Sequence, residues 1–137
     1  MTGLDTNVLI RWLAADDGQS DQSTAQVAAV ERAVLGAKDG CYVNAVVLAE
    51  TIWVVANLFK QPRAMQSEII QRLLLAHNVR VGDESAVKSA LDVFENGPSS
   101  GGFADLLIGA LNAAAGCTTT ITFDKRAARA TTFTLLT

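Results

Sequence analysis

The chain is expected to fold as a three-layer α/β/α domain around a mostly parallel, short-stranded sheet. Three observations carry that expectation. First, short segments rich in sheet-forming residues (Cys41-Tyr42-Val43, Val79-Arg80-Val81 and Thr118 to Phe123) alternate with segments of helical apolar spacing. Strands separated by helices pair in parallel and are covered on both faces. Second, half of the residues are hydrophobic and only 18% are charged, which suits a packed core and not a disordered chain. Third, residues 1–137 fit a single domain, long enough to build a core without disulfide or metal staples.

In order along the chain, Leu4 leads into Asp5, Thr6 and Asn7, after which Val8, Leu9, Ile10 and Trp12 resume the apolar run. This reads as a buried strand turning into a short helix over about 7–15. A polar loop from Asp16 to Ser20 follows, and Ser20, Asp21 and Ser23 are cap candidates for a helix to about Ala37. Lys38-Asp39-Gly40 is a turn, and Cys41 to Val43 a strand. Residues 45–59 spell a helix apolar on nearly every side, which predicts burial against the core. Gln61-Pro62 ends it, and Pro62 suits the first turn of a helix with Met65, Ile69, Leu73 and Ala76 at helical spacing.

After the strand at Val79, Asp83 can cap a helix with Val87, Ala90, Leu91 and Phe94 on one face. Residues 97–102, Asn-Gly-Pro-Ser-Ser-Gly-Gly if Asn96 is included, form the one loop of flexible composition. An apolar helix over about 103–115, a turn at Gly116, a strand to Phe123, a short basic helix from Asp124 and a closing strand at Thr132 to Leu135 complete the chain. Right-handed crossovers would leave the strand ends on one rim, where ligands bind in open α/β sheets.

Net charge is −3, which argues against broad electrostatic binding of nucleic acid. No apolar run reaches bilayer length. Asp5 and Asn7 interrupt the first apolar run with no basic segment before it, so no signal peptide is expected. Cys41 and Cys117 lack metal-ligand spacing and read as reduced, buried thiols, which favours a cytoplasmic location. His77 has no His or Cys at ligand spacing and reads as structural.

Four acids are candidates for chemistry. Asp5 and Asp124 follow strands, where each could equally cap a helix. Asp105 falls in the first turn of its helix, where the dipole favours an anion. Gly109 and Asn112 share its face and suggest a small, polar pocket wall. Glu50 is the hardest to explain structurally. Val46, Val47, Trp53 and Val54 share its side of an apolar helix, which leaves little room for a rim position, and a buried carboxylate needs a partner. Four acids meeting in one crevice would repel one another, and hard oxygen donors of this kind suit Mg²⁺ or Mn²⁺.

With these residues in view, the chain resembles PIN-domain ribonucleases, specifically the VapC-type toxins of prokaryotic toxin–antitoxin pairs. The resemblance lies in Leu-Asp-Thr-Asn-Val-Leu-Ile-Arg at 4–11, Val-Val-Leu-Ala-Glu-Thr-Ile-Trp-Val at 46–54, Phe-Ala-Asp-Leu-Leu-Ile at 103–108 and Thr-Phe-Asp-Lys-Arg-Ala at 122–127. It implies Mg²⁺- or Mn²⁺-dependent endonucleolytic cleavage of RNA, leaving a 5′-phosphate and a 3′-hydroxyl. The implied metal-binding acids are Asp5, Glu50, Asp105 and Asp124, with Thr6 and Thr122 as the accompanying hydroxyls. It also implies a homodimer blocked by a cognate antitoxin, for which the first two helices and the helix over 62–76 offer apolar faces.

Arg11, Lys125 and Arg126 flank the first and last motifs and are expected to hold the RNA backbone. Arg129 reads as a solvated residue of the basic helix. Two other classes remain open. A haloacid-dehalogenase-like phosphatase would use Asp5 as nucleophile, although Asn7 stands where that chemistry wants a second acid. A non-catalytic binding module would use the acids only as caps.

Overall fold

The computed structural model describes residues 1–13 and 21–137, with residues 21–23 described by their backbone alone. The expected loop at 16–20 and the cap candidates Ser20, Asp21 and Ser23 therefore lie outside the described side chains. Strands β1 (Thr2–Gly3), β2 (Cys41–Val43) and β3 (Val79–Val81) form one parallel sheet in the order β1-β2-β3. Thr2 stands opposite Cys41, which in turn stands opposite Val79. The ladder outruns the strands: Leu4 N–H donates to the Tyr42 carbonyl at 2.9 Å and Gly82 N–H to the Val43 carbonyl at 2.8 Å. Strands β4 (Thr120–Thr122) and β5 (Phe133–Leu135) pair in parallel as a second piece.

Helices α1 (Thr6–Leu13) and α2 (Asp21–Gly36) connect β1 to β2, and α3 (Ala45–Asn57) and α4 (Arg63–Leu75) connect β2 to β3. Helices α5 (Glu84–Asn96) and α6 (Phe103–Ala114) lead to β4, and a 3₁₀ turn at Ala127–Arg129 leads to β5. The mostly parallel sheet and the six α-helices among the described residues match the expected three-layer α/β/α class. Among the described residues, no helix is long and apolar enough to cross a membrane.

The chain turns sharply from β2 into α3 because the Asn44 side chain caps that helix, accepting from Val47 N–H at 2.9 Å. Pro62 precedes α4 as its cap residue with no side-chain bond. Asp83 occupies the corresponding position before α5 but does not cap it, because a left-handed backbone (φ 51°) turns its side chain away from the free N–H groups. Leu9, Val43, Leu48, Ile52, Ile70, Val87, Phe103 and Leu107 are fully buried and tie the layers into one core. The faces of α5 and α6 are joined by an edge-to-face pair, Phe94 on Phe103, with ring centroids 5.9 Å apart.

Helix α3 departs from expectation. Leu48, Thr51, Ile52 and Val55 are buried, but Val46 is 66% exposed and Trp53 54% exposed. No neighbouring element covers that side, so an apolar composition is spread over a helix with one open face. Inside α3, the Thr51 hydroxyl is fully buried and has no hydrogen-bond partner. Removing an unpaired buried hydroxyl recovers its desolvation cost. Thr51→Val is therefore expected to stabilise the protein by about 1 kcal/mol, read as a higher melting temperature in a thermal scan; a lower one would contradict the unpaired hydroxyl.

Cys41 is buried, as expected, whereas Cys117 is exposed. It follows the turn at Gly116 (φ 101°) and falls before β4 begins at Thr120, outside the part of the sheet that would cover it. His77 is exposed in the turn between α4 and β3.

Candidate functional site

Buried Leu4 ends the β1 ladder, and fully buried Leu9 pins α1 to the core, which leaves Asp5 exposed between them at the strand's carboxyl end. The Asp5 carbonyl starts α1 by accepting from Val8 and Leu9 N–H at 3.1 and 3.0 Å. Its Oδ1 accepts from the adjacent Thr6 N–H at 2.8 Å, not from the second or third helical amide that a capping side chain ordinarily satisfies. The carboxylate is thus fixed in place without being consumed as a cap.

The Thr6 hydroxyl donates to Glu50 Oε1 at 3.4 Å, a long contact across forty-four positions of sequence. It joins the start of α1 to the second turn of α3, two helices that pack together. Glu50 is exposed, which corrects the expectation that its helix left no room for a rim position. Val46 and Trp53, one turn either side of it, face outward with it.

Asp105 is partly buried at the third position of α6, where its Oδ2 accepts from Gly102 N–H at 3.2 Å. Helix α6 packs on α3. The proposed polar wall beside Asp105 is not there. Gly109 is buried, and a Cβ on it would lie 2.4 Å from Thr132 Oγ1 and 2.7 Å from Phe133 Cε2. Asn112 Nδ2 donates to Thr120 Oγ1 at 3.0 Å. Both residues dock α6 onto β4 and β5, and their smallness and polarity serve that packing.

Asp124 is exposed directly after β4, and its Oδ1 accepts from the N–H groups of Arg126 (2.8 Å) and Ala127 (3.2 Å). Thr122 Oγ1 accepts from Asp124 N–H at 3.0 Å and so shapes the turn that presents the acid. Asp124 does cap the basic turn, as its structural reading held, with one of its two oxygens.

The loop at 97–102 is held more tightly than its composition suggested. Ser100 is fully buried. Gly101 sits at φ +47°, and a Cβ on it would lie 2.8 Å from Asp105 Oδ2. Arg63, at the start of α4, donates from Nη1 to the Gly101 carbonyl (3.1 Å) and from Nη2 to the Phe94 carbonyl (3.2 Å). Its guanidinium also lies 3.8 Å above the Phe94 ring. Arg129 Nη1 donates to the Ser99 carbonyl at 3.3 Å, so it is anchored and not merely solvated. Burial lowers the pKa of Arg63, and the positive charge of Arg126 lowers it further.

Sequence reasoning passed over Arg63. The available signal was a cation in the first turn of a helix, where the dipole disfavours it. Arg11 is half-buried in the last turn of α1, and Lys125 and Arg126 are exposed beside Asp124.

The four acids therefore stand at the starts of α1 and α6, on the second turn of α3, and after β4. Among the described residues none of them forms an ion pair. No three or more His, Cys, Asp or Glu side chains lie close enough to hold a metal ion as a ready-made cage. A divalent ion fits this donor set in the manner usual for Mg²⁺, through one or two carboxylates with water completing the shell. The hydrogen bonds described above occupy one oxygen of each acid and leave the other without a hydrogen bond among the described residues.

A mostly parallel sheet layered with helices, with acids at two strand exits and on two helices, places the chain in the three-layer α/β/α class. A family model described as PIN domain matches residues 4–132, a span that includes all four acids, and the chain belongs to that family. PIN domains are generally nucleases, hence hydrolases, and typically use divalent metals. Comparison with curated proteins finds no match, and comparison with solved structures finds none.

Proposed function

We propose that this chain is a Mg²⁺- or Mn²⁺-dependent endoribonuclease that acts as the toxin of a toxin–antitoxin pair. The observation that supports the reading is that Thr6 bonds both acids, its N–H donating to Asp5 Oδ1 at 2.8 Å and its hydroxyl to Glu50 Oε1 at 3.4 Å. Neither carboxylate has a cation to offset it among the described residues. Two such groups favour a bound cation over mutual repulsion.

In this reading Asp5 and Glu50 hold the ion, with Asp105 and Asp124 completing its surroundings. A bound divalent ion supplies a Lewis acid that activates water and offsets charge on the phosphoryl group under attack. Thr6 orients Glu50, and Thr122 fixes the turn that carries Asp124. Lys125 and Arg126, exposed beside Asp124, and Arg11 on α1 draw in the RNA backbone. Products are a 5′-phosphate and a 3′-hydroxyl. Nucleophilic schemes gain no support: His77 is exposed in the turn before β3, at the end of that strand opposite the acids, and the thiol of Cys41, whose N–H bonds the neighbouring Asn78 carbonyl at 2.7 Å, is buried. Asn7, on the first turn of α1, supplies no second acid for a phosphatase.

The partners that accompany this reading are RNA as substrate, a second copy of the chain and a cognate antitoxin. Exposed Leu35 on α2 and Leu75 on α4 are apolar side chains such partners could cover. A non-catalytic module, in which the acids serve as caps, is the competing reading; Asp124 Oδ1 does cap the basic turn, accepting from Arg126 and Ala127 N–H.

Mapping RNA 5′ ends after brief induction decides between them. Native protein is expected to produce new, discrete 5′-phosphate ends that Asp105→Asn does not. Identical maps from the two proteins would refute the nuclease.

A further inference from the structure

We propose that Arg63, Arg126 and Arg129 form a phosphate-binding subsite along the 97–102 loop, which takes a backbone phosphodiester of the RNA flanking the cleaved bond. The identity of the anion rests on the nuclease reading; the subsite itself rests on the arrangement of the three cations.

Two of them are anchored on one loop, two residues apart: Arg63 on the Gly101 carbonyl at 3.1 Å and Arg129 on the Ser99 carbonyl at 3.3 Å. A carbonyl fixes a guanidinium in space without neutralising it. The third, Arg126, stands one turn before Arg129, whose N–H donates to the Arg126 carbonyl at 3.2 Å, and its charge acts on Arg63. Among the described residues none of the three pairs with a carboxylate, although the chain carries 14 acids to 11 bases. Elsewhere the same chain does neutralise its bases: Arg72 bonds Glu68 at 2.6 Å and Lys88 bonds Glu84 at 3.1 Å.

Gathering like charges is unfavourable unless something negative offsets them. The neighbouring acids Asp105 and Asp124 accept from backbone N–H groups and, among the described residues, form an ion pair with none of the three. A loop-bracing role explains Arg63, which also bonds the Phe94 carbonyl. It does not explain why Arg129 is fixed on the same loop, with Arg126 one turn before it. Arg129 commits only one nitrogen to the loop, leaving the rest of a planar fork suited to phosphate oxygens. The placement also fits the substrate. The loop ends at Gly102, whose N–H holds Asp105, and Arg126 N–H holds Asp124. The loop and the basic turn therefore each lead to one of the four acids, so a phosphate bound here belongs to the same strand as the bond those acids act on.

The test is binding of a labelled single-stranded RNA of about 15 nucleotides to the full chain, in EDTA so that nothing is cleaved, across a potassium chloride series. Arg129→Gln and Arg63→Gln are each expected to weaken binding several-fold at low salt. Each should also reduce the slope of log Kd against log salt by about one. Arg63→Lys keeps the charge while losing the fork, and is expected to retain the slope, which separates charge from loop bracing. Lys88→Gln, from a paired base on α5, should change neither quantity.

Slopes unchanged in both glutamine variants, or equal losses in Arg63→Lys and Arg63→Gln, would overturn the subsite. So would native protein that does not bind the RNA. Native protein that binds with these slopes but never cleaves RNA with Mg²⁺ or Mn²⁺ would retire the nuclease and leave the subsite standing. Cleavage with unchanged slopes would do the reverse.

Discussion

Asp5→Asn is expected to lower RNA cleavage at saturating Mn²⁺ by at least about 100-fold while leaving the metal-free protein nearly as stable as the native one. The two halves of that expectation come from the same geometry. Asp5 is exposed and its Oδ1 bonds only the adjacent Thr6 N–H, a bond that an asparagine carbonyl can also accept. The fold therefore loses little, within about 0.5 kcal/mol as for an ordinary surface change. What is lost is one of two neighbouring negative charges.

A ligand that binds only the folded chain raises its stability by about 2.7 kcal/mol at a hundred times its Kd. Native protein should therefore melt several degrees higher with millimolar Mn²⁺, and most of that gain should vanish in Asp5→Asn. Glu50→Gln should behave alike, since the Thr6 hydroxyl ties the two acids together. An undiminished Mn²⁺ gain in both variants would exclude these residues as the ion's holders.

Gly101→Ala is expected to damage both stability and cleavage. Its φ of +47° costs an alanine about 1–2 kcal/mol. The new Cβ would also stand 2.8 Å from Asp105 Oδ2 and 3.1 Å from its Cβ. Asp105 cannot yield without losing its 3.2 Å bond from Gly102 N–H. Thermal unfolding should register a loss of about 1–3 kcal/mol. Cleavage should fall at least about tenfold, because small misplacements of a positioned group are expensive. Gly102→Ala is the matched control for stability: its φ is −85° and nothing lies within 4 Å of the added Cβ. It should cost only a few tenths of a kcal/mol, the usual difference at a helix cap. If the two alanines melted together, the crowding at Gly101 would be ruled out.

Features that depend on near neighbours in sequence were legible from it. The strands at Cys41 to Val43 and Val79 to Val81, the helix with Val87, Ala90, Leu91 and Phe94 inward, and the punctuation at Gly40, Pro62 and Gly116 all follow from spacing and turn chemistry. The positions of Asp5 after β1 and Asp124 after β4 follow in the same way, because an acid that closes an apolar run marks where a strand leaves the sheet. The expected strand over Thr118 to Phe123 is longer than β4 at both ends: its backbone ladder covers only Thr120 to Thr122, although the Thr119 hydroxyl still meets that of Thr134 in β5 at 2.7 Å.

What composition could not decide was which apolar faces the fold would cover. Helix α3 is apolar throughout, yet the side bearing Val46, Glu50 and Trp53 is open. Helix α6 looked polar beside Asp105, yet Gly109 and Asn112 are closed over by Thr132, Phe133 and Thr120. Arg63 drew no notice in sequence and braces the loop that leads to Asp105, thirty-eight positions away.

Helical and strand periods, and the acids at strand exits, are local properties, written within a turn or two of chain. Exposure, the 3.4 Å approach of Thr6 to Glu50, and the anchoring of Arg63 and Arg129 on one loop depend on elements far apart in sequence. Those arise only when the layers pack, because burial and charge are set by whichever neighbour arrives.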